Sequence, residues 1–173
     1  GANVSIDMGV PRFGWREIPM AHEADTLSFP LPVEGSDFYP LTIATAVNIG
    51  NPHVVLFVQD AEHAPVAYLG PKIETHPLFP ERTNVEFVSL IDKDKLRMRV
   101  WERGAGITMA CGTGACAAMV AAYRRGLVGP KAEVVLDGGS LTIAWTGEGK
   151  PVIMTGPWSL SYRGDVDLAA LAR

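Results

Sequence analysis

The chain is short of cysteine, lysine and aromatic residues, and it has no long apolar run. Only two of its 173 residues are cysteine, which excludes a disulfide scaffold, and reduced thiols suggest the cytoplasm. No apolar stretch approaches the roughly 20 residues that a membrane helix needs, so a membrane partner is not expected. Lys and Arg number 15 against 19 Asp and Glu, for a net charge of −4. No basic stripe forms, so nucleic acid is not an expected partner either. The five lysines, Lys72, Lys93, Lys95, Lys131 and Lys150, fall near turns, with none in a motif that would form a Schiff base. The four histidines, His22, His53, His63 and His76, show no metal-ligand spacing. Neither a cofactor nor a metal is expected. There is no internal repeat and no low-complexity segment. No signal peptide is legible, and the start at Gly1 fits a processed or recombinant fragment.

What is present is an ordinary folded composition, 47% hydrophobic and 20% charged, enough for one packed domain or two small ones. Asn3 to Met8 alternates like a short strand. Leu41 to Asp60 predicts two strands around a Gly50-Asn51-Pro52 break. A short helix is expected to open at Asp60 to His63 and run toward Leu69. Glu74 to Asn84, with two prolines, is expected to be loop. NVEFVSLID and KLRMRVWERG alternate at period two around a turn at Asp92 to Lys95, with Leu96, Met98 and Val100 on one face and Arg97, Arg99 and Trp101 on the other. AEVVLDGGSLTIAW predicts a hairpin, and PVIMTG a further strand. With no βαβ alternation in the pattern, the class expected is α+β: a mostly antiparallel sheet, barrel-like, around one central buried helix.

That helix is predicted from about Thr113 to Arg125, with Thr113 as N-cap and Gly126 beyond its end. Its body, GACAAMVAAYRR, is small and apolar on nearly every face, so it must be buried all round. Cys116 sits in that body as a small hydrophobe. The two cysteines, five apart, would lie on different faces and are poorly placed to bridge each other. Cys111 lies just before the helix, beside the free N–H groups of the first turn. A helix N-terminus favours thiolate, so Cys111 is expected to ionise more readily than Cys116 and to react with alkylating agents at lower pH than a free thiol. The Gly-Thr-Gly turn leaves amides open to a carboxylate or phosphate. Position alone leaves a second reading, in which Cys111 is another packing cysteine and Gly112 and Gly114 only permit a tight turn.

ACGTGACA, Ala110 to Ala117, closely resembles the second cysteine motif of the diaminopimelate epimerase family. GNPH from Gly50, LGP from Leu69, HPLFPERTN from His76, ERGAGIT from Glu102 and MTGP from Met154 resemble that family's blocks in the family's order. The likeness runs from about Asn3 to Tyr162 and favours the reactive reading of Cys111. It implies a reaction without pyridoxal phosphate that interconverts LL- and meso-diaminopimelate, on the route to lysine and peptidoglycan. One cysteine removes the α-proton as thiolate; a second delivers a proton to the far face as thiol. By the resemblance Cys111 is catalytic, and His53 and Glu102 adjust thiol acidity. Asn51, Asn84, Glu102, Arg103, Gly112 and Thr113 bind substrate, the Gly112 and Thr113 amides facing its α-carboxylate. Each residue also has a plainer reading: Asn51 as a turn former, Asn84 as a cap on the Pro80 loop, Glu102 and Arg103 as a solvated strand end, His53 as a satisfied core histidine.

The family's first-half Cys-Gly-Asn-Gly loop is absent, and Cys116, on the same helix, cannot reach the opposite face of one α-carbon. The chain therefore reads as a C-terminal half carrying one of two thiols and inactive alone. It could instead be a natural half with a separate partner, or a half that forms a homodimer. Residues 1–156 form the expected domain, and residues 157–173 a tail that would return to the missing N-terminal half, with exposed apolar surface where that half is absent. Rival readings are a stand-alone module that binds an amino-acid carboxylate, and another cofactor-independent racemase or isomerase of the same fold, of the proline racemase or phenazine-biosynthesis kind. A hydrolase with Cys111 as nucleophile would need His53 as base.

Overall fold

Strands form where the apolar pattern has period two, and helices where small or apolar residues persist through several turns. The computed structural model describes residues 2–36 and 43–166. In chain order the elements are β1 (Asn3–Asp7), β2 (Ala44–Asn48), β3 (Pro52–Phe57), α1 (Val66–Glu74), β4 (Asn84–Asp92), β5 (Lys95–Glu102), β6 (Gly106–Ile107), α2 (Gly112–Arg124), β7 (Lys131–Leu136), β8 (Gly139–Ala144) and β9 (Ile153–Pro157). They form one sheet in the order β1-β9-β8-β7-β5-β4-β3-β2, with β6 added to β5. The path is open: no pairing joins β1 to β2 among the described residues.

Most pairings are antiparallel, as expected, but β3 and β4 run parallel, and so do β5 and β7. Each parallel pair is bridged by a helix, α1 in the first case and α2 in the second. The expectation of no βαβ alternation is therefore corrected. The crossovers escape the sequence pattern because the first helix is short and carries Pro65 at its cap and Pro71 within it, and because the β6 bridge separates β5 from α2.

The first helix also starts later than Asp60 to His63. There the Asp60 carboxylate accepts from the Glu62 N–H at 2.8 Å and meets His63 Nδ1 at 2.7 Å, closing a tight turn of its own. Pro65 then serves as N-cap residue without a side-chain cap bond. The end of α2 agrees with the prediction: Gly126 N–H bonds Tyr123 O and Leu127 N–H bonds Ala122 O, the paired bonds of a Schellman stop.

Two apolar cores lie on opposite faces of the sheet. One surrounds α2 and takes Val55, Val88, Leu96, Met98, Val100, Val134 and Ile143. The other takes Val54, Leu56, Val85 and Phe87 with Leu69 and Ile73 of α1. Helix α2 touches β2, β3, β4, β5, β7 and β8, and Gly114 through Ala122 are all buried. Its alanines let the strand backbones close in, so little spare volume remains. Ala118, fully buried, is a sensitive position: Ala118→Leu is expected to cost about 1–3 kcal/mol through overpacking, read as a lower midpoint in urea unfolding with an unchanged slope.

Candidate active site

The strand period decides which side chains face α2. On β3, His53 shares parity with Val55; on β4, Glu86 with Val88; on β5, Glu102 with Leu96, Met98 and Val100. The β3 and β4 register sets His53 opposite Asn84. Three titratable groups thus gather on the face of the sheet that α2 covers, near the helix entrance.

Cys111 is that entrance. It is the N-cap of α2, in extended conformation at φ −134° and ψ 102°, and its Sγ accepts from the Gly114 N–H at 3.3 Å. This corrects the assignment of Thr113 as cap: Thr113 lies inside the first turn, with its Oγ1 3.6 Å from the sulfur. The Ala115 N–H goes to Cys111 O, while the amides of Gly112 and Thr113 have no partner among the described residues. Two first-turn donors are therefore available beside the thiol. Gly at position 114 keeps this corner open: a β-carbon there would lie 3.0 Å from Glu86 Oε1 and 3.1 Å from Cys111 Sγ, tight enough that one of them would have to shift. The same point shows that carboxyl and sulfur are no more than about 6 Å apart.

The predicted residues come together in part. Asn51 places Oδ1 2.8 Å from His53 Nε2 and Nδ2 3.4 Å from Thr113 Oγ1, joining the β2–β3 break to the helix. His53 is wholly buried, and its Nδ1 lies 2.6 Å from Glu86 Oε1. Asn84 donates to Pro52 O at 2.8 Å and accepts from the Arg103 N–H at 2.9 Å, tying β3 and β4 to the turn after β5. Glu102 accepts from the Thr108 hydroxyl. The Arg103 guanidinium does not join them: it donates to Glu81 O at 3.2 Å on the exposed side. Gly112 lies against Met154 of β9. Cys116 is buried in the α2 core and both cysteines are free.

Two groups escaped the sequence reading. Glu86 is fully buried, its carboxyl raised above the ordinary range by burial against the lowering pull of His53, and its Oε2 has no partner. Its signal was a carboxylate inside the apolar run Val85 to Val88. Glu74 accepts from Trp101 Nε1 at 2.7 Å and from the Gly104 N–H at 2.9 Å, and so braces the turn that carries Arg103. Among the described residues no three His, Cys, Asp or Glu side chains cluster to hold a metal ion.

The electrostatics correct the expected thiolate. Burial, the largest cause, pushes the Cys111 thiol up to about 12, and any negative charge on the Glu86 carboxyl adds to it, against lowering bonds from Thr113 and the Gly114 N–H. Burial pushes Cys116 up to about 12 as well. First-turn amides are present, but loss of water outweighs them. In this chain Cys111 is a protonated thiol near neutral pH and not a readily formed thiolate. A consequence for stability follows with a definite sign. Folding favours the protonated thiols, so their contribution is complete well below pH 8.5, about the pKa of an unfolded cysteine. It is lost as the pH rises toward about 12. Urea unfolding is expected to show this alkaline fall and Cys116→Ala to flatten it; equal slopes in both proteins would count against burial as its cause.

Comparison with known proteins fits this geometry. Residues 45–161 match the family described as Diaminopimelate epimerase. A diaminopimelate epimerase of Erythrobacter litoralis is 54% identical over 162 residues, covering 94% of this chain and 58% of the relative. That of Acidiphilium cryptum is 48% identical over 169 residues, covering 98% and 59%. The chain thus spans well under two thirds of these curated relatives. Among solved structures, a predicted epimerase from Pseudomonas aeruginosa aligns at a TM-score of 0.55 with 18% identity, covering 89% of this chain and 55% of that one. A probable proline racemase from Agrobacterium radiobacter aligns at 0.52 with 19% identity, covering 96% and 54%. These likenesses speak to the fold.

Proposed function

The chain belongs to the diaminopimelate epimerase family, and from that premise we propose that it is the C-terminal half of an epimerase acting on LL- and meso-2,6-diaminopimelate without pyridoxal phosphate. The observation that carries the reading is Cys111 at the cap of a buried helix, beside the unpartnered Gly112 and Thr113 amides. In that reading the substrate's α-carboxylate docks on those amides, which also stabilise the charge of the carbanion. A thiolate from the absent half takes the α-proton. The Cys111 thiol gives its own proton to the opposite face of the same carbon, and the roles exchange in the reverse direction. A thiol held in the protonated form suits the donor's part. Asn51, Asn84 and Arg103 bind the rest of the substrate, Arg103 by leaving Glu81 O to clasp a carboxylate. His53 and Glu102 tune the thiol.

The finer architecture belongs to the same proposal. The sheet curls in a barrel-like wrap around α2, and residues 1–156 act as one domain. The tail from Pro157 returns to the N-terminal half. Trp158, Leu160 and Tyr162 alternate along it and are more than half exposed, as expected of a strand awaiting a partner; residues 167–173 lie outside the described residues. A homodimer is the other way to cover that surface. The working protein is placed in the cytoplasm, with no cofactor, and it engages neither nucleic acid nor membrane.

Exchange of the α-proton tests the reading. In D2O with LL-diaminopimelate, the isolated chain is expected to give little exchange, and addition of the complementary N-terminal half to restore it. Cys111→Ala should then lower conversion of LL- to meso-diaminopimelate by about 10³-fold or more, since the other half's thiolate can still exchange the α-proton but no thiol delivers one to the opposite face. Conversion that survives this substitution would remove Cys111 from the reaction. Substrate binding without exchange, even with the other half present, would favour the carboxylate-binding module suggested by the two free amides.

A further inference from the structure

The buried contacts at the α2 entrance form a continuous path. Glu86 Oε1 meets His53 Nδ1 at 2.6 Å; His53 Nε2 meets Asn51 Oδ1 at 2.8 Å; Asn51 Nδ2 meets Thr113 Oγ1 at 3.4 Å; Thr113 Oγ1 lies 3.6 Å from Cys111 Sγ. Donor and acceptor roles can be followed along it. An amide oxygen only accepts, so His53 Nε2 carries the hydrogen toward Asn51. In a neutral ring Nδ1 then accepts, and the hydrogen of the Glu86–His53 bond belongs to the carboxyl group. The alternative is an imidazolium facing a carboxylate. That arrangement would leave a buried charge with bare lone pairs, because Glu86 Oε2 has no donor. Burial itself favours the protonated carboxyl. The other titratable groups near the thiol and the carboxyl argue the same way: Glu102 from β5 opposes a second negative charge at Glu86, and Cys116 from α2 supplies no positive one.

We propose that Glu86 is a positioning residue of the cysteine site, a neutral carboxylic acid that donates to His53 Nδ1 and thereby sets the direction of a hydrogen-bond chain through Asn51 and Thr113 to the Cys111 sulfur. With this direction Asn51 donates to Thr113 Oγ1, and the Thr113 hydroxyl hydrogen is turned toward sulfur. The thiolate left when Cys111 gives up its proton then has donors in Thr113 and the Gly114 N–H. A neutral Glu86 also keeps a like charge from standing within about 6 Å of that thiolate. No net proton leaves the chain: the carboxyl keeps its own, and only the thiol's proton moves. Gln at position 86 could make the same donation, whereas an apolar residue could not.

The inference rests on Cys111 as the reactive group, but its test needs no turnover, so its failure is distinct from a failure of α-proton exchange. The test is ¹⁵N NMR of the histidine rings on this chain at about pH 7.5, with the rate of Cys111 alkylation by iodoacetamide as a second readout. The expected result is His53 as the Nε2–H tautomer in the wild type and in Glu86→Gln, with alkylation rates within about twofold of each other. Glu86→Leu is expected to let the Nδ1–H tautomer appear. An imidazolium or Nδ1–H ring in the wild type overturns the proposal, and so does alkylation about tenfold or more faster in Glu86→Gln, the mark of a lost negative charge. If the Leu variant does not fold, the wild-type spectrum still decides.

Discussion

A helix apolar on every face governs this structure. Gly114 through Ala122 of α2 can be stable only with neighbours all round, and the chain supplies them from six strands. The small side chains set the distance of approach, so the sheet lies close to the helix backbone. The second helix packs on the opposite face, and the two cores share the central strands. Residues 52–56 of β3 and 84–89 of β4, covered on both sides, have no wet face left.

That burial shapes the site. A helix wholly inside a domain must open somewhere, and its first-turn amides need partners. Here the Cys111 side chain takes one and Cys111 O another, while those of Gly112 and Thr113 remain free. Of the polar side chains that share the α2 face, His53 and Glu86 are wholly buried and bond each other, while Glu102 is half-buried and bonds the Thr108 hydroxyl. The Glu86–His53 contact adds little to stability, since two buried groups recover only part of their desolvation cost. Its effect is to order Asn51 and Thr113 around the sulfur. Water is largely excluded from the sulfur, which is why a position that would ordinarily favour thiolate holds a thiol instead.

The chain covers 58% of the Erythrobacter litoralis relative. Val4 and Ile6 of β1 are about half exposed, and the alternating apolar residues after β9 lie bare. Under the proposed function, this edge and segment are where the rest of a longer protein would pack. The α2 entrance, by contrast, draws the path from Glu86 through His53, Asn51 and Thr113 to Cys111 entirely from this chain.

Much of this was legible in order along the chain. Alternation in KLRMRVWE assigned the faces of β5 residue by residue, the alanine run required a buried helix, and the blocks from GNPH to MTGP named the family. Those features are local: period, side-chain size and short motifs reside in adjacent residues. What adjacency does not carry was decided by the fold. Glu86 read as the polar face of an alternating strand because the sequence does not say that a helix covers that face too. The parallel pairing of β3 with β4 and of β5 with β7 depended on where the crossovers landed. Thr113 looked like the cap until the turn geometry gave that place to Cys111. The residues themselves determined that a thiol would stand at the mouth of a helix; its protonation depended on how much water the packed sheet left there, a quantity set by the whole tertiary structure.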